Sequence, residues 1–277
     1  MKRALPYLGA ALVALLLPSC LENTTTIKLN KDGSGTITEE TLFSAEASAM
    51  MADMPAGGEN PVGKFSDPKK AAESAAKMGE GVTVEKTEAL KKDGRVGGRV
   101  VYKFKDINQV KFKPGGAMAD AGKDMGPPGD APDGAAAKPE DKPMTFTYKD
   151  GVLKMMNPDA KPKGDAKKPD AEKGAAPDKE EETDPQSLAM AQQMFKDMRI
   201  TVKLEVADGI AETDATYKDG NVVTLIDMPF GKIISDPVNM KKLEAMKDAS
   251  PADAAAAFKD IPGLKIETKD EVTVKVK

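Results

Sequence analysis

The sequence predicts an α+β fold: an antiparallel β-sheet built from hairpins and a meander, with helices packed on one face and two long disordered insertions. Three observations lead there. Several segments alternate apolar and polar residues with period two and are joined by Asp-Gly turns. Asp-Pro and Ser-Pro pairs stand before Ala- and Met-rich stretches, where an N-cap acceptor is followed by proline at the first helical position. Two segments, 113–142 and 157–183, are dominated by Gly, Pro, Ala, Asp and Lys, a composition that cannot bury enough apolar surface to offset its ordering entropy.

The elements follow in order. Thr24 to Leu29 alternates, with Thr25, Ile27 and Leu29 on one face. Asn30-Lys31-Asp32-Gly33-Ser34-Gly35 is turn chemistry, and Thr36 to Phe43 is rich in β-branched residues, so 24–43 reads as a hairpin. Ser44 to Met54 suggests a short helix, and Asp67-Pro68 opens a second that stops at Gly79. Val82 to Glu85 and Val100 to Phe104 are strands around Lys92-Asp93-Gly94, and 145–153 is a further hairpin. A lone hairpin is marginal and needs a sheet to join. Asp184-Pro185 opens another helix. A meander is then expected over Ile200 to Val206, Ile210 to Tyr217 and Asn221 to Met228. Asp236-Pro237 and Ser250-Pro251 start two helices, and Leu264 to Thr268 and Val272 to Val276 close the chain as strands.

The domain reading is a leader over 1–19, one α+β domain in two parts (20–112 and 184–277), and a hairpin of the same sheet over 143–156. Insertions over 113–142 and 157–183 separate the parts. Thr-Tyr-Lys-Asp-Gly occurs at 147–151 and 216–220, and Phe-Lys-Asp-Ile at 104–107 and 258–261. The spacings share no period and read as recurring local solutions.

The chain has 277 residues, a formal charge of −4, one cysteine and no histidine or tryptophan. The charge leaves no footprint for nucleic acid. Without histidine there is no His-based triad and none of the commonest zinc sites. No phosphate loop or dinucleotide fingerprint occurs, and no cofactor is expected. Lysine and carboxylate groups are abundant, which keeps a carboxylate- or lysine-dependent hydrolase as one alternative. The prevailing expectation is no enzyme and no catalytic residue.

At the start, Lys2 and Arg3 precede an uncharged apolar run from Leu8 to Leu17. That run is too short for a membrane-spanning helix of about 20 residues, and the pattern is that of a signal peptide. Leu17-Pro18-Ser19-Cys20 resembles the lipobox of bacterial lipoproteins. The resemblance implies cleavage after Ser19 and diacylglycerol on the Cys20 thiol, with acylation, commonly palmitate, of the new amino group. It implies a protein anchored in the cell envelope. Leu21 stands where an aspartate would retain the protein at the inner membrane, which points to the outer membrane facing the periplasm. The partners expected are the membrane itself, through the anchor, and an envelope protein, lipid or wall component.

Asn30 to Thr41 resembles the twelve-residue EF-hand calcium loop. Asn30, Asp32, Ser34 and Thr36 are the candidate oxygen ligands, but Thr41 stands where a bidentate glutamate belongs, and the flanks read as strands. The bland reading is a Gly-rich hairpin turn with no metal; a calcium-binding lipoprotein is the second alternative. Met50, Met51 and Met54, and Met190, Met194 and Met198, sit at helical spacing. They suit helix core before they suit copper.

Together, the lipobox, the Asp32-Gly33-Ser34-Gly35 hairpin, Phe104-Lys105-Asp106-Ile107 and the Ile200 to Asp227 segment resemble uncharacterised bacterial lipoproteins and, more distantly, the LppM-type domain. That resemblance implies an α+β domain at a membrane face, with a binding or structural role and no catalytic residues to carry over.

Overall fold

A computed structural model describes residues 21–52, 61–114, 143–157, 198–234, 236, 238–239, 242 and 255–277. The leader with Cys20, nearly all of both expected insertions and the helix expected at Asp184 lie outside the described residues. So do most of the helices expected after Asp236 and Ser250.

The first hairpin is longer than the alternation alone suggests. β1 (Leu21–Leu29) pairs antiparallel with β2 (Gly35–Phe43), in a register running from Leu21 opposite Phe43 to Leu29 opposite Gly35. Gly35 has a structural reason: a Cβ there would collide with the Lys28 carbonyl and lie 2.6 Å from Cζ of Phe104. Gly35→Ala is expected to destabilise the protein by about 1–3 kcal/mol, because backbone rather than a flexible side chain must move. Urea denaturation of the full chain measures it.

Ser44 then starts α1 (Ala45–Ala52), its buried hydroxyl accepting from the Ala47 amide at 3.1 Å. A 3-10 turn (Pro61–Ser66) leads to α2 (Pro68–Met78). Asp67 caps α2 by accepting from the amides of Lys69 (2.7 Å) and Lys70 (3.3 Å), as its Asp-Pro start predicts. β3 (Thr83–Lys92) and β4 (Arg95–Phe104) form a hairpin whose Asp93-Gly94 turn has φ of 51° and 75°. Positive φ at both central residues is what a twisted two-residue hairpin demands. A 3-10 turn (Ile107–Gln109) precedes β5 (Lys111–Phe112), and β6 (Met144–Lys149) and β7 (Val152–Met156) follow. The last strands are β8 (Arg199–Val206), β9 (Ile210–Thr213), β10 (Lys218–Asp219), β11 (Val222–Met228), β12 (Lys265–Ile266) and β13 (Glu271–Val276), with α3 (Phe230–Ile234) after β11.

The architecture is α+β and mostly strand, but it differs from the expected single antiparallel sheet. Among the described residues the strands form two sheets. One has the order β10-β11-β8-β1-β2-β4-β3, with β12 on β11; the other has the order β5-β6-β7-β13-β9. β1 and β8 run parallel, Glu22 opposite Arg199 through Leu29 opposite Val206. The hairpin at 143–156 therefore belongs to the second sheet, not to the sheet of the first hairpin. The expected meander is broken likewise: β9 leaves to pair with β13, and β8 pairs directly with β11. Local pattern reports only which strands are sequence neighbours; these pairings are non-local.

One core joins the two sheets. Ile27, Leu29, Ile37, Phe104 and Leu204 of the large sheet pack in the same buried cluster as Phe146, Leu153, Met155 and Val274 of the smaller one. α2 adds Ala71 and Ala75. A second, smaller cluster lies at the start of β1: Leu21, Phe43 and Met198, with Phe65, Ile200 and Phe230 against them. The Phe43 and Phe65 rings are 5.1 Å apart.

Candidate functional site

Between the two apolar clusters runs a buried polar belt. Asn23, Thr25, Glu39 and Thr41 occupy inward positions of β1 and β2, where the alternation calls for apolar side chains. Asn23 donates through Nδ2 to the Thr41 hydroxyl at 2.9 Å. Thr25 stands opposite Glu39 in the ladder. Tyr102, from β4, donates its hydroxyl to Oε2 of Glu39 at 3.2 Å. Burial pushes the Glu39 carboxyl up to about 7, against the lowering effect of the Tyr102 hydrogen bond. Burial and the neighbouring carboxylate raise the Tyr102 hydroxyl. Near neutral pH, then, Glu39 can take up and release a proton inside the molecule. The signal was legible: Glu39 shares parity with Ile37 and Thr25 with Ile27, so a carboxylate on the buried face follows from the alternation.

The Asn30–Thr36 stretch folds as a hairpin turn between two strands, not as a loop between two helices. Its four candidate oxygen ligands largely bind one another. Asp32 Oδ1 accepts from the Ser34 amide (3.0 Å) and hydroxyl (2.6 Å), and Asn30 Nδ2 donates to Ser34 Oγ (3.0 Å). Those hydrogen bonds to Ser34 hold the Asp32 carboxyl below its ordinary value. Thr36 sits in β2 opposite Lys28.

The turn also ties the two sheets together. The Tyr148 hydroxyl, from β6, donates to the Lys31 carbonyl at 2.8 Å, and the Ile107 amide donates to the Gly33 carbonyl at 2.9 Å. The Lys31 amide donates to Oδ2 of Asp208 at 3.2 Å. Burial, with the charges of Asp208 and Asp32, raises the Tyr148 hydroxyl. Among the described residues no group of three or more His, Cys, Asp or Glu is placed to hold a metal ion.

The outer face of the large sheet carries ion pairs. Arg199 grips Asp227 through two hydrogen bonds of 2.7 Å, Nε to Oδ1 and Nη2 to Oδ2, a bidentate geometry of the stronger kind. Arg99 joins Glu40 (2.6 Å) and Glu88 (2.8 Å). Arg95 pairs with Glu22 and lies 3.9 Å from Asp93. Arg199 and Arg99 bridge neighbouring strands, and Arg95 on β4 reaches across β2 to Glu22 on β1, so each has a structural reason for its place. Glu267 is buried and accepts from the Thr216 amide and hydroxyl and from the amides of Thr268 and Lys269. It stitches the segment after β9 to the segment after β12.

Cys20 is outside the described residues, yet its chain neighbour is not. Leu21 is the first residue of β1 and is buried in the smaller apolar cluster. The first strand thus begins three residues before the alternation of 24–29 indicates, at the residue that follows Cys20. No helix among the described residues is long and apolar enough to cross a membrane.

No family model matches the sequence, and no curated protein matches it. Among solved structures, the chain is similar to the folded domain of Mycobacterium tuberculosis LppM, determined by NMR. The identity is 10%, the alignment covers 77% of this chain and 84% of that one, and the TM-score is 0.31. At 0.31 the superposition is loose and transfers neither fold nor role.

Proposed function

We propose that this chain is a lipid-anchored protein of the cell envelope whose α+β domain serves a non-enzymatic binding or structural role at the membrane surface. The observation that carries the reading is the position of the single cysteine: Cys20 closes Leu17-Pro18-Ser19-Cys20, directly after a basic start and a short apolar run. Diacylglycerol on its thiol and a third chain on its amino group would hold the domain firmly, since one acyl chain alone is marginal and two or more suffice. The outer membrane, facing the periplasm, is the proposed location, on the ground that Leu21 rather than aspartate follows the cysteine. An envelope protein, lipid or wall component is the proposed partner.

The test is direct. Mass spectrometry of the N-terminal peptide of protein purified from detergent-solubilised membranes is expected to begin at an acylated Cys20. Cys20→Ser is expected to leave the leader uncut and to abolish incorporation of a labelled fatty acid. A bare thiol, or an intact leader on the wild-type protein, sinks the reading.

A further inference from the structure

The geometry points to one rim of the large sheet, the rim that carries Leu21 and the β3–β4 turn with Lys91 and Lys92, as the surface that rests on anionic lipid headgroups. This rests on the lipid-anchored reading above and adds which face meets the bilayer, and through which charges.

The first observation is the missing linker. A trans peptide separates adjacent Cα atoms by about 3.8 Å, and Leu21 already belongs to β1, paired with Phe43 and buried. An anchor on Cys20 thus fixes the end of a paired strand at the lipid surface, not the end of a flexible stalk. The domain cannot drift away from its anchor without unpairing β1.

The second observation is which residues share that end. The ladders place Leu21 opposite Phe43, Phe43 opposite Val96, and Val96 opposite Lys91. Strands are about 4.8 Å apart, so Lys91 lies about 14 Å along the rim from Leu21. The next row holds Arg95 opposite Lys92. The Asp93-Gly94 turn extends past it, and twist makes the rim an arc. Lys91 and Lys92 are both exposed.

Charge decides what this rim can meet. Glu22 is engaged by Arg95 and Asp227 by Arg199, while Asp93, 3.9 Å from the Arg95 guanidinium, keeps its side chain 69% exposed. Against that one carboxylate the turn offers two lysines outward, Lys91 and Lys92. The apolar residues here, Leu21, Phe43 and Met198, are buried in their own cluster. The contact is therefore electrostatic, a lysine pair on headgroups, and not an apolar wedge in the acyl region. With Asp93 set against one of them, the two lysines near an anionic surface favour the docked orientation by about 5-fold.

The full lipidated chain suits the test, because its one native cysteine is consumed by the anchor. Ala89→Cys and Thr83→Cys place a fluorophore at exposed positions on β3, about 20 Å apart along the strand. Each protein is reconstituted in phosphatidylcholine vesicles with or without phosphatidylglycerol, and quenching by a headgroup nitroxide is read. Strong quenching at 89 and weak quenching at 83 are expected, with the difference growing when phosphatidylglycerol is present. Lys91→Glu with Lys92→Glu, in the Ala89→Cys background, is expected to remove that growth. Equal quenching at both positions, stronger quenching at 83, or a difference indifferent to phosphatidylglycerol and to the lysines overturns the assignment. Vesicle flotation separates the two readings. Protein that floats but shows the wrong quenching pattern defeats only the rim; protein that does not float and carries a bare Cys20 defeats both.

Discussion

Phe104→Ala is expected to lower folding stability by about 3–5 kcal/mol, the range for emptying a buried phenylalanine site. Phe104 is 1% exposed and belongs to the core shared by both sheets. It sits opposite Gly35 in the ladder, and its ring lies over that glycine. The backbone around the cavity is held by the pairing of β2 with β4, Gly35 opposite Phe104. Little relaxation is possible, so the upper half of the range is expected. Chemical denaturation of the full chain, at constant slope against denaturant, measures the loss. A loss under 1 kcal/mol would show that the sheets do not share this core.

Glu39→Gln is expected to stabilise the protein at alkaline pH and to flatten its pH dependence. The sign follows from linkage. The folded-state carboxyl is raised from an ordinary value of 4.5 to about 7 by burial, so between those values the folded state holds a proton that the unfolded state has lost. Stability is full below pH 4.5, falls as pH rises through about 7, and levels off above. The interval corresponds to about 3 kcal/mol at most. Glutamine keeps the shape and can still receive the Tyr102 hydroxyl, but it has no charge to bury. Denaturation midpoints of both proteins at pH 5 and pH 8 decide the matter. Wild type should lose stability between the two values far more than the variant. Parallel behaviour would mean that Glu39 reaches water in the folded protein.

The two effects describe one design. Along β1 and β2 the inward face runs from apolar (Leu21, Phe43) through polar (Asn23, Thr25, Glu39, Thr41) to apolar again (Ile27, Leu29, Ile37). The polar middle lies between the small cluster at the proposed anchored end and the main core. Phe104 tests the main core, and Glu39 tests the belt between the two.

Much of the local structure was legible because it is decided locally. The Asp67-Pro68 start of α2 was readable because a side-chain acceptor and a fixed φ act within one turn. The Asp93-Gly94 turn was readable because few residue pairs tolerate positive φ twice. The flanks of Asn30 to Thr41 were legible as strands, and between them the polar residues form a turn. What that turn does was not legible, since Tyr148, Ile107 and Asp208, which dock on it, are far away in the chain.

The repeated Thr-Tyr-Lys-Asp-Gly marks the boundary well. At 147–151 the turn is Asp150-Gly151, with Lys149 opposite Val152. At 216–220 Asp219 itself pairs with Val222, which moves the turn to Gly220-Asn221. Five identical residues thus form two different registers, because the partner strand chooses the register. By itself the sequence determined most of the strands, their inward faces and the capped start of α2, all written in short-range pattern. Only the tertiary structure decided that β1 lies parallel to β8, that β9 deserts its neighbours for β13, and that there are two sheets rather than one. Backbone hydrogen bonds are identical for every candidate partner, so pairing is chosen by burial of side chains distant in the chain, which no local window contains.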